Sequence, residues 1–556
     1  MEQIVETKQC KECSCNFNIT DKDLEFYNKV SPVFNEKKYS IPSPNLCPEE
    51  RYKRRIAFRN ESNLYKISCE LCKKEVLSLY DGKAEACIYC QDCWAGDNWN
   101  PLGYGRDFDF SKSFFEQFSN LAKVAPRWSN KLMVYENSDY SIYSYNVKNC
   151  YLVKSSGDLE DCYYCMRVND CKDMVDCLNV GKSELCYECV DSEGLNTCSY
   201  LQNSKNCYDC HFCFDCQGSK NCFGSVGLRT KKYCIFNEQY TEEEYFEKLS
   251  QLEKNGIDFI KKELKELINK VPHKMLQQFN SENCSGDFIF NSKNVQEGYY
   301  VFDSEDSKFI RDSKKMDISY DCSNDDNMIE CADVGTSYSI NRAFYSESIA
   351  GGTEIFYCST CVHIHNCLGC IGLSRKQYCI LNKQYTKEEY EVLMPKIIEH
   401  MKTTGEWGEF FPISLSPFAY NDTLAQIYYP LTKEAAISKG YKWKEKDERE
   451  YMPQTYIIPE DIRDVSDSIC SEILACEVTG RNYKITQQEL GFYKKMNLPI
   501  LKNHPDQRHI DRVSLRNPRK LWNRNCFHCN ANVKTTYSTE RPETIYCEEC
   551  YLKEAY

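Results

Sequence analysis

From Ser141 to Cys222 the chain keeps a single phase. Every third residue (Ser141, Ser144, Val147, Cys150, Val153, Ser156, Leu159, Cys162, Cys165 and so on to Cys222) is small or apolar, and the positions between them hold Asp, Asn, Glu, Lys and Tyr. A period of three fits neither the 3.6 of a helix nor the 2.0 of a flat strand. It predicts a narrow interior that receives one side chain in three, the other two pointing out. All fourteen cysteines from Cys150 to Cys234 fall in this phase. Written in rows of 21, Ser144, Cys165, Cys186 and Cys207 share one column, and Cys150, Cys171, Ser192, Cys213 and Cys234 another. The expected coil is therefore about 21 residues long, with successive coils stacked to bury a continuous core. Asn149, Asp161, Asp170, Asp176, Asn206 and Asn221 each precede an inward cysteine, where Asx residues suit tight bends. Tyr145, Tyr187 and Tyr208 share one outward column in this arrangement, as an aromatic ladder or a base-stacking surface.

The unit recurs 145 residues on: SKNCFGSVGLRTKKYCIFNEQYTEEEY (219–245) matches HNCLGCIGLSRKQYCILNKQYTKEEY (365–390). Cys177, Cys186, Cys213, Cys216, Cys222 and Cys234 map onto Cys322, Cys331, Cys358, Cys361, Cys367 and Cys379, while Cys150, Cys165, Cys171, Cys189 and Cys210 become Val295, Ile310, Met316, Val334 and Ile355. Cysteine that exchanges with small hydrophobes behaves as a packed thiol. The alternative is a soft-metal store for copper or zinc, with Cys207, Cys210, Cys213 and Cys216 as its best cluster. In the second copy Asp325 breaks the inward pattern. The every-third pattern resembles that of tight insect antifreeze solenoids, a structural analogy alone.

The expected fold is mainly β: two tandem β-solenoids with helical caps, flanked by zinc-ribbon or treble-clef-like modules. Its segments are an N-terminal zinc module (1–96), a helical connector (97–136), solenoid A (137–240), a helical cap and linker (241–281), solenoid B (282–385), a helical cap (386–411), an extended, proline-broken connector (412–469) and a C-terminal zinc module (470–556).

Both terminal modules carry paired CxxC knuckles. Cys69, Cys72, Cys90 and Cys93 near one end, and Cys526, Cys529, Cys547 and Cys550 near the other, have the same 17-residue gap between pairs. Four thiolates at this spacing make a closed structural zinc site with no position for a reacting water. A third set precedes the first ribbon: Cys10, Cys13 and Cys47, with Glu50 or Cys15 as fourth ligand. Its C-terminal counterpart reads Cys476, Thr479, His504 and Gln507, a lost ligand set.

Arg51, Arg55 and Arg59 are spaced to line one helix face, and Arg508, Arg512 and Arg516 repeat the stripe. Such stripes grip phosphates of a nucleic acid or pair with carboxylates of an acidic protein; here the net charge is −13. No apolar run reaches membrane-span length, so no membrane partner is expected. The absence of a leader pattern predicts a cytoplasmic protein whose 37 cysteines stay as thiols or bind metal. No Gly-rich phosphate loop, GxSxG or HExxH is present, and His363 and His365 sit near Cys358 and Cys361 without a completed ligand set.

With the ribbons, the FYNK and FYKK segments and the GLxxKxYCIxNxQYTxEEY ends in hand, the chain resembles the uncharacterised cysteine-rich proteins of small, largely uncultured bacteria, over nearly its whole length. The resemblance implies architecture and no known activity. A CoA-transferase label carried by some relatives finds no residue pattern here. Where that family has a further cysteine, this chain has Glu50. The function expected is a non-enzymatic zinc scaffold that offers an extended surface to a protein or RNA, alone or as a homo-oligomer. The alternatives are soft-metal storage and an enzyme with its site between solenoid and zinc module.

Overall fold

In a computed structural model of the chain, residues 2–445 and 451–555 are described. Residues 446–450 of the connector expected at 412–469 lie outside them, as do Met1 and Tyr556. The fold is rich in strand and dominated by two twelve-stranded, mostly parallel sheets, one running from Leu132–Glu136 to Glu238–Gln239 and the other from Gln278–Phe279 to Lys383–Gln384.

Within each sheet the chain returns to pair with itself every 12 residues. Val147 lies opposite Leu159, Leu159 opposite Cys171, Met174 opposite Cys186, Cys186 opposite Cys198, and Cys210 opposite Cys222, which is opposite Cys234. The second sheet keeps the same offset through Ile340, Gly352 and Ile364. In that sheet Arg311–Asp317, Tyr320–Ser323, Ala332–Gly335, Tyr338–Phe344 and Asp326–Ile329 pair around a closed ring of five strands.

The 21-residue coil is thereby corrected to 12. Both lengths are multiples of three, so both keep the inward phase; the recurrence of cysteine types does not measure how far the chain travels before it meets itself. Four triplets suffice, because each contains a bend. Asn149, Asp161, Asp170, Asp176, Asn206 and Asn221 all have left-handed φ of 50–56°. So do residues without the Asx advantage, among them Tyr164, Leu185, Tyr200 and Phe212. Left-handed backbone is costly for such side chains, and the burial that each bend allows offsets it. The new register also dissolves the proposed tyrosine column: Tyr145 faces Gly157, Tyr187 lies between Val175 and Ser199, and Tyr208 between Asn196 and Lys220. Aromatic stacking occurs instead between residues 12 apart, as in Tyr200–Phe212 (4.4 Å), Phe344–Phe356 (5.2 Å) and Tyr345–Tyr357 (5.0 Å).

The inward cysteines form the core of both sheets. Their thiols also meet backbone groups that the bends turn inward. Cys162 donates to the Glu160 and Cys171 carbonyls, and Cys177 to those of Val175 and Cys186. Serine in the same phase does likewise: Ser204 Oγ donates to the Gln202 carbonyl and accepts the Cys216 N–H at 3.1 Å. Cys171 Sγ accepts the Ser183 N–H at 3.4 Å in the equivalent way. Cys and Ser interchange because both fill a small site and satisfy the same groups.

On the outer face, in-register stacking would set like charges side by side. The chain answers with alternation, Lys148–Glu160–Lys172, at 3.8 and 3.1 Å, and with amide ladders such as Asn137–Asn149–Asp161.

The chain folds into two compact units, each assembled from separated stretches. One comprises the residues up to Asn130 with Gln277–Glu445; the other comprises Lys131–Leu276 with the described residues from Tyr451 onward. Each unit thus joins one sheet to the terminal module from the far side of the sequence. Segment 412–445 is not merely extended: it carries the helices Leu424–Tyr428 and Lys433–Ser438 and buries Tyr420, Leu424 and Ala436.

Candidate metal centres

The first ribbon is a hairpin, Tyr65–Ser68 with Glu75–Ser78, followed by strand Ile88–Tyr89 and helix Gln91–Ala95. The hairpin turn supplies Cys69 and Cys72; the strand-to-helix junction supplies Cys90 and Cys93. The second ribbon repeats this with hairpin Trp522–Asn525 and Asn532–Thr535, strand Ile545–Tyr546 and helix Glu548–Ala555. In each, all four sulfurs lie within 4.8 Å of one another. Cys72 and Cys90 approach to 3.8 Å, Cys529 and Cys547 to 3.7 Å.

The backbone prepares these sulfurs for charge. The Cys90 N–H donates to Cys69 Sγ at 3.1 Å, and the Cys547 N–H to Cys526 Sγ at 3.2 Å. Burial pushes the Cys69 thiol up, but the N–H groups of Cys90, Cys72 and Leu71 outweigh it and bring it down to about 6. Cys526 is likewise brought to about 6, burial being outweighed by the N–H groups of Cys529, Cys547 and His528. Thiolates held this way are ligands for a soft or borderline cation.

A third group, Cys10, Cys13 and Cys47, also gathers within 4.8 Å. Glu50, expected as its fourth ligand, is not in it: its carboxylate accepts from the Lys53 ammonium at 2.9 and 3.1 Å. Cys15 Sγ instead lies 3.1 Å from Cys13 Sγ. At the C-terminal counterpart, Cys476 donates to Asn503 and His504 Nδ1 accepts the Asp506 N–H, so those residues serve local structure.

These three are the metal-competent groups among the described residues. The solenoid cluster Cys207, Cys210, Cys213 and Cys216 supplies four successive inward positions, each thiol donating to carbonyls such as those of Lys205, Tyr208, His211 and Phe214. His365 Nδ1 meets Thr353 Oγ1 at 3.1 Å, and His363 sits at a left-handed bend.

Both arginine stripes lie buried against carboxylates of the sheet in their own unit. Arg51 Nε is 2.9 Å from Asp321, and Arg55 Nη1 is 2.6 Å from Asp333. Arg59 pairs with Glu61 and donates to Thr336 Oγ1 at 2.8 Å. In the other unit Arg508 and Arg512 meet Asp176 at 2.9 and 2.8 Å, Arg512 meets Glu188 at 2.9 Å, and Arg516 pairs with Asp191. This is the arrangement of the carboxylate-pairing alternative: the six guanidinium groups face protein and offer no open phosphate-binding face. The partners were hidden in sequence by distance, although Asp176/Asp321 and Glu188/Asp333 each keep the 145-residue offset.

Along the first sheet runs a groove of about 960 Å³ lined by both signs of charge: Lys148, Lys172 and Lys182 against Glu136, Asp158, Glu160, Asp170 and Glu184.

No protein-family model matches the chain. No curated protein matches it either. A solved structure from Desulfovibrio desulfuricans G20, described as a "putative acetyltransferase", aligns over 43% of this chain and 65% of its own, at 10% identity and a TM-score of 0.11. The chain thus spans less than two thirds of that structure, and similarity at this level carries no argument about fold or activity. What stands is a strand-rich, cysteine-rich protein with three cysteine groups able to hold metal ions. No described helix is long and apolar enough to cross a membrane.

Proposed function

We propose that the chain is a non-catalytic, cytoplasmic zinc scaffold. Its two parallel sheets are β-solenoids of 12-residue coils, and each is clamped by a treble-clef-like module whose ribbon holds one structural zinc. The observation that carries this is the contrast between two kinds of cysteine. Those in the ribbons converge on one another, whereas those in the sheets are spent on packing and backbone carbonyls. Four thiolates leave a zinc ion no open position, so the metal serves architecture.

The surface offered is the outer face of the coils, with the mixed-charge groove as its best-formed part. Five acidic and three basic residues line it, which disfavours a polyanion and favours a protein partner with alternating charge. Metal analysis of the purified chain tests the scaffold: two or three zincs per chain are expected, whereas ten or more soft-metal ions would establish storage instead.

A further inference from the structure

The N-terminal knuckle brings together four thiols where the ribbon pattern would supply three. Strands Ile4–Gln9 and Asn16–Thr20 form an antiparallel hairpin whose turn carries Cys10, Cys13 and Cys15. Cys47 reaches the same place as the N-cap of helix Pro48–Ile56. Cys13 Sγ is 3.7 Å from Cys47 Sγ and 3.1 Å from Cys15 Sγ. Ser14, between Cys13 and Cys15, adopts φ 60°, and its N–H donates to the Cys10 carbonyl at 2.9 Å, so the turn holds both cysteines beside Cys10.

The frame copies the two ribbons. Cys10 sulfur receives N–H groups from Glu12, Cys13 and Cys47, just as Cys69 receives them from Leu71, Cys72 and Cys90. In both ribbons the fourth thiol follows the third by three residues; here that place belongs to Glu50. Glu50 is the carboxylate paired with Lys53, which is itself buried. Turning Glu50 to a cation would leave that ammonium buried without its counter-charge.

The geometry points to a third four-thiolate zinc site, made of Cys10, Cys13, Cys15 and Cys47, with Cys15 in the role that Cys93 and Cys550 play in the ribbons. It rests on the ribbons being zinc sites. Two of its four sulfurs, those of Cys13 and Cys15, belong to exposed residues, against one exposed cysteine in each ribbon. This is therefore the site from which metal exchanges first, while the ribbon zincs stay as structure.

The test uses the full chain loaded with zinc, and separately with cobalt, as wild type, Cys15→Ser and Glu50→Gln. Native mass spectrometry should count three zincs in wild type and Glu50→Gln, and a chromogenic chelator should draw one equivalent at least tenfold faster than the other two. Cys15→Ser should lose that fast equivalent and about a third of the thiolate-to-cobalt charge-transfer band, with an unchanged thermal melt showing that the exposed position does not disturb folding. Loss of the third metal in Glu50→Gln but not in Cys15→Ser would assign the ligand to Glu50 and overturn the proposal. So would two zincs in wild type with Cys13 and Cys15 alkylated as fast as in the metal-free protein. A chain that binds no zinc at all would instead overturn the reading of the ribbons.

Discussion

Asp325 occupies an inward position where its neighbours in phase are Ser313, Ser319, Cys322, Met328 and Cys331, all buried. Its two carboxylate oxygens accept the N–H groups of Ser323 and Ser337 at 2.5 and 2.7 Å. Burial nevertheless outweighs these donors and pushes the carboxyl up to about 8. A carboxyl raised in the fold keeps its proton to higher pH than in the unfolded chain. The folded state then binds more protons between about pH 4 and pH 8, and this contribution to stability falls as pH rises through that window. At about 1.4 kcal/mol per pKa unit the loss reaches several kcal/mol. Serine at this place would satisfy the Ser337 N–H without a charge, as Ser337 itself accepts the Ile349 N–H. Asp325→Ser should therefore gain stability relative to wild type as pH rises from 5 to 8, measured as the gap between their denaturant midpoints. A gap that stays constant with pH would refute the assignment.

At the scale of elements, the helices Pro48–Ile56 and Pro505–Ser514 act as charged keys. Arg512 is 1% exposed and Asp176 fully buried. Removing one member of such a set leaves its partner's charge stranded, at about 3–5 kcal/mol. Arg512→Met should destabilise the protein by that order in thermal or denaturant unfolding, and Asp176→Asn in the same chain should recover part of the loss through their coupling. If the stripe instead served to grip phosphate, Arg512→Met would leave stability within about 0.5 kcal/mol, the usual range for surface changes. Much of this level was legible from residues alone. The CxxC pairs announced both ribbons because thiolate spacing is local, and the Asx residues announced the bends because their preference is local too. The arginines' partners were not legible, since Arg512 and Asp176 are brought together only by the fold. Nor was the length of a coil: a phase of three is compatible with 12, 21 or any other multiple, and only pairing distinguishes them.

For the whole molecule, the consequential fact is the interlaced assignment of stretches to units. Lys131–Leu276 shares its unit with the residues beyond 450, and the intervening Gln277–Glu445 belongs to the other. Two links of different kinds hold the later stretch: the carboxylates that receive Arg508, Arg512 and Arg516, and the parallel pairing of His273–Lys274 with Ile545–Tyr546. A protease site placed at residues 446–450 should therefore yield, after cutting, two chains that still co-elute on gel filtration. Separation of the 451–556 fragment under native conditions would contradict the division into units. Sequence order suggested neighbours that the fold does not use, because a terminal module and the sheet next to it in the chain fall in different units.

The left-handed bend at every third residue has a further consequence, for inheritance. From Asn146 to Asp191 the bends follow one another without a missed beat. A sheet strand elsewhere tolerates a one-residue insertion as a local bulge, but here an added or lost residue would shift everything after it into a different slot: bend residues would be driven inside and cysteines out to solvent. The polypeptide carries its own reading frame, three residues to the word and four words to the line. Gains and losses of length that arise within it are expected to survive only as whole words, and most readily as whole lines.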